Sequence, residues 1–194
     1  MSVRQWLLFL PQTPAVPSSL RVSVWRRMQQ LGALALQNGV WILPRSNELE
    51  RGLHLLLAEL EAQGGGGFLL ITQATHTGPE ERIIERFRTE RQQDYEEFLD
   101  RCERFLAELA RETQAQKFTF AELDENEEDL HKLILWLRKI HQRDFFGGPQ
   151  RDAATATLTR CRGALEQFAA QVYRLYGHDL PEILSIEVEK SKDE

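Results

Sequence analysis

The sequence predicts an α+β protein, with a small β-containing region first and a helical region after it. Three observations carry this. Short apolar runs bounded by Pro or Gly alternate with amphipathic helices before residue 77, three long helical stripes lie beyond it, and the charge divides at the same place. The chain has 194 residues, 42% hydrophobic and 28% charged, enough for a real core and incompatible with wholesale disorder or a fibrous chain. Up to Thr77 there are six Arg, no Lys and four Glu, a balance of +2; residues 78–194 hold 18 Lys plus Arg against 26 Asp plus Glu, a balance of -8. The first part also carries seven of the twelve Gly and three of the four Trp.

Val3 to Leu10 is an apolar run stopped by Pro11, Pro14 and Pro17, which predicts a buried strand and a turn. Ser18 or Ser19 is placed to cap a helix with Val24, Trp25, Met28 and Leu31 at helical spacing, ending near Gly32. Ala33–Leu36 and Val40–Leu43 flank Gln37-Asn38-Gly39. Asn-Gly between apolar runs predicts a hairpin, because both residues tolerate positive φ. Asn47 then caps a helix whose stripe is Leu49, Leu53, Leu56, Leu57 and Leu60; Gly64–Gly67 stops it, and Phe68–Thr72 is the fourth strand. The order βαββαβ predicts a ferredoxin-like sandwich over residues 1–77, one antiparallel sheet with two helices on one face.

From Pro79 to about Gln114 the pattern is helical throughout, with Ile83, Ile84, Phe87, Tyr95, Phe98, Leu99, Cys102, Phe105, Leu106 and Leu109 as its apolar positions. At 1.5 Å per residue this helix is roughly 50 Å long, more than the sandwich covers. Two further stripes supply partners, Leu130-Leu133-Ile134-Leu137-Ile140 and Leu158-Cys161-Leu165-Phe168-Val172-Leu175. A three-helix unit packed beside the sandwich is therefore expected over residues 78–186, with a charged, fraying tail from Glu187 to Glu194. Cys102 and Cys161 are expected as core residues of a protein in a reducing compartment, since no CxxC spacing suggests a disulfide or metal site.

A net charge of -6 excludes a generally basic nucleic-acid coat but leaves room for a local patch. No apolar run reaches 18 residues, and the apolar start is too short for a secretory signal, so a cytoplasmic protein without membrane contact is expected. No catalytic residue, cofactor or metal is predicted. Gly64–Gly67 lacks the Gly-Lys-Ser/Thr of a phosphate loop and precedes a strand. Asp124–Asp129 lacks the Gly and the bidentate Glu of a calcium loop and suits an acidic helix N-terminus instead. Glu128 and His131 have Glu-x-x-His spacing in a single copy, where a di-iron bundle needs two.

Two constellations remain. Arg21, Arg26 and Arg27 surround Trp25 on the first helix and form either a phosphate-contacting or a solvated basic face. Further on, Arg143-Asp144-Phe145-Phe146-Gly147-Gly148-Pro149 leads into a helix start beside Arg151. Free amides there, with Arg143 and Arg151, would suit an oxyanion; the alternative is a packed turn anchored by both Phe residues, with Arg143 paired to Asp144 or a helix acid.

Val24-Trp25-Arg26-Arg27-Met28-Gln29-Gln30-Leu31-Gly32-Ala33 and Gln37-Asn38-Gly39-Val40-Trp41-Ile42-Leu43-Pro44 resemble the N-terminal domain of the ChrB chromate-resistance regulators. The resemblance continues through Glu85-Arg86-Phe87-Arg88, Asp94-Tyr95-Glu96-Glu97-Phe98 and Arg143-Asp144-Phe145-Phe146-Gly147, so it covers nearly the whole chain. More distantly, the first part is similar to the central domain of PaaX-type repressors, whose fold is that of small CRISPR adaptation nucleases. The resemblance implies a cytoplasmic, non-enzymatic regulator of a chromate efflux system, with operator DNA, chromate and a second copy of the chain as prospective partners. Longer family members carry a further C-terminal domain, and the nuclease relatives have an Asp where this chain has Leu10-Pro11, which argues against nuclease activity. An oxyanion-binding protein and a dimerising interaction module remain the alternatives.

Overall fold

The computed structural model of the chain describes residues 4–14 and 18–177; Val3 and the tail Glu187–Glu194 lie outside the described residues. The elements are β1 (Trp6–Gln12), α1 (Ser18–Gln30), β2 (Leu34–Gln37), β3 (Val40–Pro44), α2 (Asn47–Ala62), β4 (Gly66–Thr72), α3 (Thr77–Gln114), α4 (Phe120–Arg143) and α5 (Pro149–Leu175). The chain is thus α+β. It divides into two compact units, Met1–Tyr95 with Arg138–Gln150 and Glu96–Leu137 with Arg151–Glu194.

In the first unit the four strands form one antiparallel sheet in the order β2-β3-β1-β4. The Asn38-Gly39 turn joins β2 to β3, with Gly39 at φ 74°, and a bulge between Ala35 and Gln37 shifts the register. Residues alternate between the faces of the sheet, as the strand period requires. Leu7 and Phe9 of β1 and Trp41 and Leu43 of β3 meet Leu20, Val24 and Met28 of α1 and Leu53, Leu56 and Leu60 of α2. On the opposite face Trp6, Leu34 and Ile42 meet Phe87, Ile83 and Ile84 of α3 and the Phe145-Phe146 segment. The sheet is therefore packed on both sides at β1, β2 and β3, whereas Phe68, Leu70 and Ile71 of the edge strand β4 are exposed.

Several boundaries differ from the sequence reading. β1 continues through Pro11 to Gln12, because β3 pairs only as far as Phe9 and Pro11 faces β4 alone, where a missing N–H is tolerated. β4 begins at Gly66 rather than Phe68. A side chain on Gly67 would lie 2.5 Å from the Leu10 carbonyl oxygen, so glycine is what lets β4 close onto β1. Trp25 is 54% exposed; the buried stripe of α1 is Leu20-Val24-Met28, spaced by four, and Trp25 stands one residue, about 100°, away from it. Ser18 and Ser19 both lie in the first turn of α1. The cap of α2 is Ser46, whose Oγ accepts the Leu49 N–H at 3.2 Å, so Asn47 is already helical.

The second unit holds the remaining parts of α3, α4 and α5. Phe98, Cys102, Phe105 and Leu109 of α3, Leu123, Leu130, Leu133 and Leu137 of α4, and Leu158, Cys161, Leu165, Phe168 and Val172 of α5 are buried. Phe98 meets Trp136 edge-on at 5.6 Å, and Phe118 meets Phe168 at 5.4 Å. The buried Asn126 amide donates to the Glu112 carboxylate at 2.7 Å and to the Glu122 carbonyl at 2.8 Å. α4 is capped by Thr119, whose Oγ1 accepts the Glu122 N–H at 3.2 Å. Asp124–Asp129 therefore lies inside the helix, not at its N-terminus, because Thr119 starts the helix earlier.

Candidate functional site

α1 contains no acidic residue, and Leu20, Val24 and Met28 turn it inward on the sheet. That rotation leaves Arg21, Val22, Trp25, Arg26 and Arg27 exposed. Val22 and Trp25, at 44% and 54%, are exposed large apolar side chains. Among the described residues no carboxylate lies within ion-pair distance of Arg21, Arg26 or Arg27. The first unit thus presents three cations and an indole exposed on one helix, Arg21 one turn from Trp25, and Arg26 and Arg27 about 100° and 200° round the axis from it. Cation and aromatic together suit a polyanion carrying flat bases, since phosphates take the guanidinium groups and bases stack on rings.

Arg143 and Asp144 are used differently. Asp144 is buried, and its Oδ2 accepts the Tyr95 hydroxyl at 2.8 Å. Its Oδ1 accepts the Gly147 N–H at 2.9 Å and the Phe146 N–H at 3.4 Å, which folds residues 144–147 into a turn that Gly147 completes at φ 60°. Arg143 reaches back to Asp94 at 3.4 Å, and the same carboxylate holds the buried Arg91 at 3.1 Å. The turn carries Phe145 edge-on to Phe87 at 5.9 Å and Phe146 to Phe87 and Trp6 at 5.4 and 6.1 Å; Arg4 lies 5.0 Å over the Phe146 ring. Arg86 donates to the Ala35 carbonyl at 2.5 Å, tying α3 to the short edge strand β2.

Of the sequence candidates, then, Arg21, Arg26 and Arg27 share one exposed helix, while Arg143 is engaged with Asp94 and the backbone carbonyl of Lys139. Arg151 lies in the first turn of α5, in the second unit, whereas Arg143 belongs to the first. The roles that the sequence did not assign are those of Arg91, Asp94, the Tyr95 hydroxyl and the Asp144 carboxylate as a turn acceptor. Their signal was available in part: an Asp three residues before a Gly, with two aromatics between, matches a turn in which the carboxylate takes the following amides. Among the described residues there is no His, Cys, Asp or Glu group that could hold a metal ion, and no helix is long and apolar enough to cross a membrane.

Fold and site together define an α+β protein whose sheet is clamped by an aromatic turn and whose first helix exposes three Arg and a Trp, the cations without an acid in reach among the described residues. The chain belongs to the ChrB N-terminal family: the model described as "Protein ChrB, N-terminal" matches residues 21–179. It is similar to Protein ChrB of Cupriavidus metallidurans, with 27% identity over 161 residues, 79% of this chain and 43% of that protein. The chain thus spans less than half the length of this curated relative.

Proposed function

We propose that this protein acts in chromate resistance as a non-enzymatic regulator that contacts operator DNA through Arg21, Arg26 and Arg27 of α1. The observation that carries the reading is the exposure of these three guanidinium groups and of Trp25 on one helix, with no acid in reach of the cations among the described residues. With a net charge of -6, attraction to DNA has to come from such a local patch. The family relation supplies the link to chromate, and the absence of a membrane-crossing helix among the described residues is compatible with work in the cytoplasm. The strand order β2-β3-β1-β4 supports a ferredoxin-like reading of the sheet unit, and the buried stripes of α3, α4 and α5 support a three-helix reading of the second.

Fluorescence anisotropy on the protein's own upstream duplex, at two salt concentrations and with and without chromate, tests this. Specific binding by the wild type is expected. Arg26→Ala and Arg27→Ala should each weaken it, and each lost phosphate contact should reduce the slope of log K against log salt by about 0.9. No binding, or binding and salt slope unchanged in both variants, would sink the assignment.

A further inference from the structure

Cys102 on α3 and Cys161 on α5 are separated by 59 residues in sequence yet face each other in the core of the second unit. Neither has any exposed surface. The Cys161 Sγ donates toward the Cys102 carbonyl oxygen at 3.8 Å, which brings the two cysteines together. Arg160, one residue before Cys161, and Glu103, one residue after Cys102, meet at 3.3 Å on the surface beside them. We propose that Cys102 and Cys161 are a thiol modification site, closed to an intramolecular disulfide by a small uncharged oxidant of the peroxide class. The inference is independent of the DNA reading.

Each proton depends on the other sulfur. The neighbouring Cys161 thiol, and then burial, raises the Cys102 thiol far above its ordinary value, whereas the Cys102 thiol lowers Cys161 against the burial that raises it, with Arg160 adding to the lowering. Cys161 is therefore the thiolate that forms first, and Cys102 the thiol that stabilises it. Burial selects the oxidant: a charged oxyanion has to shed its hydration to reach this core, whereas neutral hydrogen peroxide enters during local opening. The Cys161 thiolate attacks one peroxide oxygen, breaks the O–O bond and becomes a sulfenic acid, releasing water once the departing oxygen is protonated. The Cys102 sulfur then attacks the sulfenic sulfur and expels a second water. Two thiols lose two electrons, and one peroxide becomes two waters.

The test uses the intact chain. After exposure to hydrogen peroxide it is quenched, unfolded in denaturant with N-ethylmaleimide and weighed under non-reducing conditions. The untreated protein should take two maleimides; the oxidised protein should take none, weigh two hydrogens less than the reduced one, run as a monomer and recover both maleimides after dithiothreitol. Peptide mapping of the wild type should give one cross-linked species joining the Cys102 and Cys161 peptides, a readout that does not depend on a variant folding. Cys102→Ala and Cys161→Ala, checked for helicity, should each abolish that species. Two maleimides after peroxide, mass gain by oxygen addition alone, or a disulfide between chains would overturn the proposal.

Discussion

Replacing Tyr95 by Phe removes one hydroxyl and leaves its ring in place. What is lost is the 2.8 Å hydrogen bond to Asp144 Oδ2, made where Asp144 is only 8% exposed. A hydrogen bond to a charged group contributes about 1.5–3 kcal/mol, and a buried acceptor left without its donor costs a similar amount. The Gly147 and Phe146 amides still hold Oδ1, so the turn survives and the expected loss is about 2 kcal/mol. With a urea slope of about 1–3 kcal/mol per molar, the midpoint should fall by about 1 M. Tryptophan emission follows the relevant part of the molecule, because Trp6, Trp25 and Trp41 belong to the first unit and Trp136 to the second. Asp144→Asn completes a double-mutant cycle, in which the double variant should be less destabilised than the two single losses added together. A loss below about 0.5 kcal/mol for Tyr95→Phe, or simple additivity in the cycle, would refute the account of Asp144 as the residue that joins α3 to the 144–147 turn.

Two further outcomes are expected. Gly67→Ala should cost about 1–3 kcal/mol, since its Cβ would lie 2.5 Å from the Leu10 carbonyl at φ 150°. Gly66→Ala, with nothing within 4 Å, should be nearly neutral by thermal melting, and equal losses at the two positions would contradict the close-approach reading. Burial raises the Glu90 carboxyl above its ordinary value of 4.5, with Arg91 and Arg86 opposing part of the shift. The folded chain thus holds this proton more tightly than the unfolded one, so stability falls as pH rises from the ordinary value through the raised one, and the ionised group is a cost at neutral pH. Glu90→Gln should remove that step and melt higher than wild type at pH 7; identical pH profiles for the two proteins would count against it.

Much of the sheet unit was legible in the sequence because local rules decide it. Asn38-Gly39 allows a tight hairpin, and Leu53, Leu56 and Leu60 of α2 line up on one stripe. The errors arose where one residue of phase or one long-range contact decides. Trp25 and Val24 compete for the same stripe with Met28, and only the packed sheet shows that Val24 takes it. Gly66 and Gly67 read as a helix stop until Leu10 is known to lie against them. The basic residues of α1 were visible, but their lack of acidic neighbours is a tertiary fact. Arg143 was legible as an anion ligand or a paired residue, and Asp94, 49 positions upstream, is its partner in the fold. Cys102 and Cys161 carry no local spacing signal at all.

The division of the chain into units has a practical reading for dissection. Each unit is assembled from two separate stretches of sequence, with the crossings inside α3, inside α4 and in the first turn of α5. A fragment ended at residue 77 would carry the four strands but lack Phe87, Phe145 and Phe146, leaving the Trp6 indole uncovered on its face of the sheet. A fragment ended at Tyr95 would regain Phe87 and still lack Asp144, the acceptor of the Tyr95 hydroxyl. Single-cut truncation should therefore give sticky, poorly folded products, whereas excising residues 96–137 behind a short linker preserves the complete set of side chains that close the first unit.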